Sequence, residues 1–178
     1  ASELLNGNDS IDAAKAKLKA LTGMEFDDFM LLDKLNTPSD KLRDNPSKYL
    51  LYCDPFMGIF DAHITEGVNA YYKELYDKLS AIKATDDYKP YFESAAALAD
   101  VLSVKAELGI KTRAAYLAGD TKALKCIAEN DYTAAIEKLR SFHTKFRKFW
   151  FFENKPHGFD VQDIRLGGLI MRLESCRD

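Results

Sequence analysis

"ENKPHGFDVQDIRLGGL", residues 153–169, interrupts sequence that is otherwise plainly amphipathic and helical. It packs Pro156, His157, Gly158, Asp160, Asp163, Arg165, Gly167 and Gly168 into one short stretch. The fold reading depends on whether this is a catalytic cluster or a turn between helices. Proline lacks the N–H that a helix interior needs, and glycine reaches backbone angles closed to other residues. Pro156 and Gly158 therefore read as the turn. Asp160 and Asp163 then fall near the start of the next helix, where its dipole favours negative charge. Gly167-Gly168 reads as a notch that lets another helix approach the backbone closely.

Working outward, the same helical period recurs along the chain. Ile11, Ala14, Leu18 and Leu21 are spaced for one face, with Gly23 as a stop. Phe26, Phe29, Met30 and Leu35 form a second short helix ending before Pro38. Residues 36–47 are the best candidate loop, and Asn45-Pro46 carries the cap-then-proline signature of a helix start. Asp54-Pro55 divides the aromatic run from Tyr49 to Phe60 into short turns. Val68 to Ile82 and Phe92 to Leu117 read as longer helices, the second ended by Gly119 and holding Gly109 as a kink or close contact. Asp120 caps a short helix through Ile127, Asp131 or Thr133 begins one reaching Phe152, and the last starts near Asp160. No period-2 alternation persists. The expectation is an all-α bundle or array of seven or eight helices without a substantial sheet. It forms a single domain over 1–178, with residues 1–8 expected to be disordered or an appended tail.

Composition narrows the function. The chain has 178 residues, is 47% hydrophobic and 30% charged, and carries a net charge of −3. That balance suits a globular domain and disfavours nucleic acid or an anionic membrane as partner. No run approaches the ~20 apolar residues of a membrane span. Cys53, Cys126 and Cys176 are odd in number and have no CxxC spacing. They read as reduced, mostly buried small hydrophobes, and favour a cytoplasmic setting.

Dedicated chemistry is hard to find. There is no repeated Glu-x-x-His, no HExxH, no GxSxG and no phosphate loop. His63, His143 and His157 are isolated, and Pro156 breaks any helical alignment of Glu153 with His157. Neither a metal nor a cofactor is expected. In "RSFHTKFRKFWFF" (140–152), Phe142, Phe146, Phe149 and Glu153 share one stripe, while the basic residues fall largely elsewhere. Trp150, Phe151 and Phe152 point in successive directions, so this end should be buried on several sides or meet a partner.

Three segments resemble a known family. They are "NPSKYLLYCDPFMGIFDAHI" (45–64), "VKAELGIKTRAAYLAGD" (104–120) and "FWFFENKPHGFDVQDIRLGGLIMRLE" (149–174), with "LTGMEFDDFMLLDKLN" (21–36) in support. They resemble the C-terminal helical domain of bacterial exo-β-N-acetylhexosaminidases of glycoside hydrolase family 20. The resemblance implies a parent chain with a (β/α)8 catalytic barrel preceding this domain. There an adjacent Asp–Glu pair supports substrate-assisted retaining hydrolysis of terminal N-acetylhexosamine. This sequence has no Asp-Glu dipeptide, so no catalytic residue carries over and the chain alone is expected to be inactive.

The resemblance makes the barrel of the same polypeptide the expected partner, with a homodimer as a second expectation and glycan met only through the parent enzyme. The residues expected at such an interface, or at the edge of the sugar pocket, are Trp150, Lys155, His157, Phe159, Asp163, Arg165, Gly167 and Gly168. The alternative is a free-standing helical hydrolase or ligand-binding module using His157, Asp160, Asp163 and Arg165.

Overall fold

A computed structural model describes residues 10–36 and 45–178 and shows an all-α array with no strand among them. Residues 1–8, and most of the loop expected over 36–47, lie outside the described residues. The helices are α1 (Ile11–Thr22), α2 (Phe26–Asp33), α3 (Pro46–Tyr52), α4 (Val68–Ala81) and α5 (Lys89–Lys105). They continue with α6 (Leu108–Leu117), α7 (Thr121–Cys126), α8 (Thr133–Glu153) and α9 (Phe159–Arg177). α7 runs into α8 through a π-helical turn, Ile127–Tyr132. Taken as one rod, that stretch leaves eight helices among the described residues, within the expected number.

The centre is α5. Its "AAALA" run places Ala95, Ala96, Ala97 and Ala99 in the core beside Phe92, Val101 and Leu102. Small side chains let α4 and α8 close on this helix from different sides. α4 contributes Val68, Tyr72, Leu75 and Leu79, and α8 contributes Ala135, Ile136, Leu139 and Phe142. α9 covers α8 with Leu166, Leu169, Ile170 and Leu173. Buried Tyr72 needs a partner for its hydroxyl, and it donates to the Leu35 carbonyl at 2.9 Å.

Several local readings need correction. Asn45 precedes Pro46 as expected, but its side chain makes no cap; it sits at φ 48°, and its carbonyl accepts from Lys48 N–H at 2.9 Å. The helix expected from Phe92 to Leu117 is two, divided at Ala106-Glu107. Gly109, expected at a kink or a close contact, makes the close contact: a Cβ there would lie 2.7 Å from the Pro55 carbonyl oxygen. Arg113 holds the same carbonyl and pairs with Asp61, clamping the 53–61 loop onto α6. The break expected between residues 127 and 133 is the π turn instead. There Asn130 Nδ2 donates to the Cys126 carbonyl at 2.9 Å and Thr133 Oγ1 to that of Ala128 at 3.5 Å. Side chains that take up backbone carbonyls in this way accompany a widened turn. The three cysteines are free, yet Cys126 is exposed and Cys53 and Cys176 only half-buried, so none is a buried core residue.

Candidate functional site

The corner between α8 and α9 is built around one side chain. α8 ends at Glu153, with Asn154 in extended backbone, and Gly158 (φ 95°) starts α9. Phe159, the first residue of α9, is 2% exposed. Its ring lies 5.8 Å from those of Phe146 and Trp150, 5.6 Å from Phe151 and 5.7 Å from His143. Trp150 Nε1 donates to the Lys155 carbonyl at 3.2 Å, so the indole holds the turn as well as packing beneath it. A Cβ on Gly158 would come within 3.3 Å of Trp150 Cζ2, and its φ is one that L side chains rarely adopt. The reading of Pro156 and Gly158 as a turn between helices holds on these grounds.

The aromatic end is less buried than its composition predicts. Phe151 is 41% and Phe152 51% exposed. Phe149 packs edge-on to Tyr91 at 5.0 Å, and Phe152 lies 6.3 Å from the same ring. The Tyr91 hydroxyl hydrogen-bonds Glu153, whose carboxylate pushes the phenol up to about 12. Three successive aromatics cannot all face one core, so two of them face outward.

The polar residues do not converge. Asp160 accepts the Gly158 N–H at 3.1 Å, a local bond at the helix start. Asp163 Oδ1 lies 2.6 Å from His143 Nε2, on the α8 side. Arg165, two residues on and so about 200° round the helix, lies over the Tyr52 ring at 4.7 Å, on the α3 side. Asp163 and Arg165 therefore turn to different helices and do not pair with each other. His157 and Lys155 are exposed. The His157, Asp160, Asp163 and Arg165 constellation is not assembled. Among the described residues, no group of three or more His, Cys, Asp and Glu could hold a metal ion. Clefts of about 450 and 520 Å³ take in none of these residues: one is lined by α4, α5 and Lys145 of α8, the other by Phe56, Tyr116, the π turn and the C-terminal end of α9.

Gly167 and Gly168 do not form a notch for another helix among the described residues. A Cβ on either would meet nothing within 4 Å. They lie on the outward face of α9 with Val161, Ile164 and Met171, which are 48%, 73% and 61% exposed. The sequence reading missed His143, Tyr52 and Tyr91 as partners here. Hairpin symmetry about the turn does not pair His143 with Asp163, because α8 ends at Glu153 and α9 starts at Phe159, so His143 lies further from the turn than Asp163.

Residues 27–178 match the family model described as the glycoside hydrolase 20C C-terminal domain. The chain belongs to this family. No curated protein matches it. As a glycoside hydrolase 20C C-terminal domain, the chain implies a catalytic domain in the same polypeptide and a parent of the glycosidase class. The match ends with α9 and takes in the whole corner.

Proposed function

We propose that the chain is the non-catalytic helical domain of a β-N-acetylhexosaminidase. The parent removes terminal N-acetylhexosamine by substrate-assisted retaining chemistry carried out in its barrel. The outward face of α9 is this domain's contact with that barrel, and the 150–160 corner braces it. The observation that carries the reading is Gly167-Gly168 in mid-helix, open to solvent between Ile164 and Met171. Each glycine costs the helix about 1 kcal/mol relative to alanine. No packing among the described residues explains that cost, whereas close approach by another surface does. Separation of Asp163 from Arg165 on opposite flanks of α9 also supports a non-catalytic role.

The test is an assay of this chain and of its full-length parent on an aryl N-acetyl-β-glucosaminide. The expected result is turnover by the parent and none by the chain. Turnover by the chain, abolished in Asp163→Ala, would replace this reading with the free-standing hydrolase. In the parent, Ile164→Glu should loosen domain packing and lower the unfolding temperature. Subunit dissociation without that loss would move the face to a homodimer contact.

A further inference from the structure

The family match begins at Asp27, at the start of α2, and among the described residues α1 precedes it. α1 spans 12 residues, and none of them is buried. None of its side chains is among those packed on the core, which takes its first residue at Met24. Yet α1 is well formed. Ser10 caps it by accepting the Ala13 N–H at 3.3 Å, and Gly23 closes it at φ 72°. Its apolar residues Ile11, Ala14, Leu18 and Leu21 recur at intervals of three, four and three, the stripe of a helix that packs on something. Ile11 and Leu21 at the ends of that stripe are 77% and 76% exposed.

The contacts α1 makes with α2 lie on another flank and are ionic. Lys15 Nζ is 3.6 Å from Asp27 and sits over the Phe26 ring at 5.0 Å, while Lys19 pairs with Glu25. Isolated helices of this length are marginal in water, and among the described residues the stripe, with Ala14 and Leu18 half-buried and its ends exposed, has no place in the core. The direction of α1 is nevertheless fixed at its C-terminal end. Thr85 Oγ1, in the α4–α5 connection, donates to the Thr22 carbonyl at 3.2 Å, and a Cβ on Gly23 would meet Thr85 Cγ2 at 3.0 Å.

We infer that α1 belongs to the catalytic domain of the same polypeptide, with its Ile11, Ala14, Leu18 and Leu21 stripe packed on that domain and Gly23 at the junction. The occupant follows from the boundary: the C-terminal-domain match starts just after α1 and Gly23, and the core of the C-terminal domain makes no use of the stripe. The hydrogen bond between Thr85 and Thr22 then ties the helical domain to a helix of its neighbour. The inference rests on the reading of the chain as a domain joined to a catalytic domain.

Hydrogen exchange tests it, measured on the full-length polypeptide and on this chain over a series of protein concentrations. α1 amides should exchange about 10-fold or more slowly in the full polypeptide than in the chain, at every concentration. Leu21→Asp and Ile11→Asp should each remove that protection in the full polypeptide and leave the unfolding temperature of the chain unchanged. Equal exchange in the two proteins overturns the inference. So does protection that grows with concentration, which would make a second copy the occupant. The inactivity of the chain is read by turnover, so the two readings fail separately.

Discussion

Lys105 donates from Nζ to the Cys53 carbonyl at 2.7 Å. It also reaches the Leu50 carbonyl at 3.0 Å, and the residue is 3% exposed. The last turn of α3 leaves carbonyls without helical partners, and α5 supplies the missing donor from inside the core. One lysine thus fixes the start of the 53–61 loop, which Arg113 clamps at its other end through Pro55 and Asp61.

Burial holds the Lys105 ammonium down, to about 8 from the ordinary 10.5. Between those values an unfolded chain keeps the proton and the folded one releases it, so this group makes stability rise with pH. A neutral amine still has two N–H bonds for the two carbonyls. Tyrosines and cysteines titrate nearby with the opposite sign, so the comparison is with Lys105→Met. From pH ~7 to ~9.5 the stability difference should move in favour of the natural protein by about 2 kcal/mol. Chemical denaturation across that range checks it, and parallel curves would mean the ammonium is not desolvated.

Substitution of glycine by alanine should change sign with position. At Gly109 the new Cβ would meet a backbone oxygen at 2.7 Å, one already held by Arg113 and unable to retreat. Gly109→Ala should destabilise by about 1–3 kcal/mol despite the better helix propensity of alanine. At Gly168 nothing lies within 4 Å, and Gly168→Ala should stabilise this chain by up to about 1 kcal/mol. In the parent enzyme the same change should cost stability if the α9 face is docked. Thermal unfolding of both proteins reads the reversal.

Phe159 should be the most sensitive position of the α8–α9 corner. Phe146, Trp150 and Phe151 all lean on its ring, and truncation would leave a cavity that the turn cannot fill. Phe159→Ala should cost about 3–5 kcal/mol. Exposed His157, replaced by alanine, should cost less than about 0.5 kcal/mol. A small effect at Phe159 would mean that the corner is held by its backbone bonds alone.

The order of helices was legible because their apolar residues recur at helical spacing and glycine or proline marks most ends. The α1 stop at Gly23, the Asp120 cap and the Pro156–Gly158 turn all sit where expected. What was not legible depends on partners far away in sequence. Period alone cannot show whether a stripe has something to cover it, so Ile11 and Leu21 read as one packed face and stand exposed. Nor could spacing show that Asp163 and Arg165, two residues apart, turn to different helices. The π turn was hidden because Asn130 and Thr133 bond backward to carbonyls, and their composition reads equally well as a helix break.

The His143–Asp163 pair offers the sharpest separation of architecture from catalysis in this corner. At 2.6 Å it looks like a base held by its orienting carboxylate. The side chains, however, are 32% and 54% exposed, and the imidazole lies against the Phe159 ring. A half-exposed pair of this kind couples by less than about 1 kcal/mol and weakens with added salt. A double-mutant cycle with His143→Ala and Asp163→Asn should therefore give a small stability coupling. In the full-length enzyme Asp163→Asn should leave kcat within about twofold. A general base or its orienting partner would instead cost about 10²-fold or more. A loss of that size, with substrate binding unchanged, would place this corner at the sugar pocket.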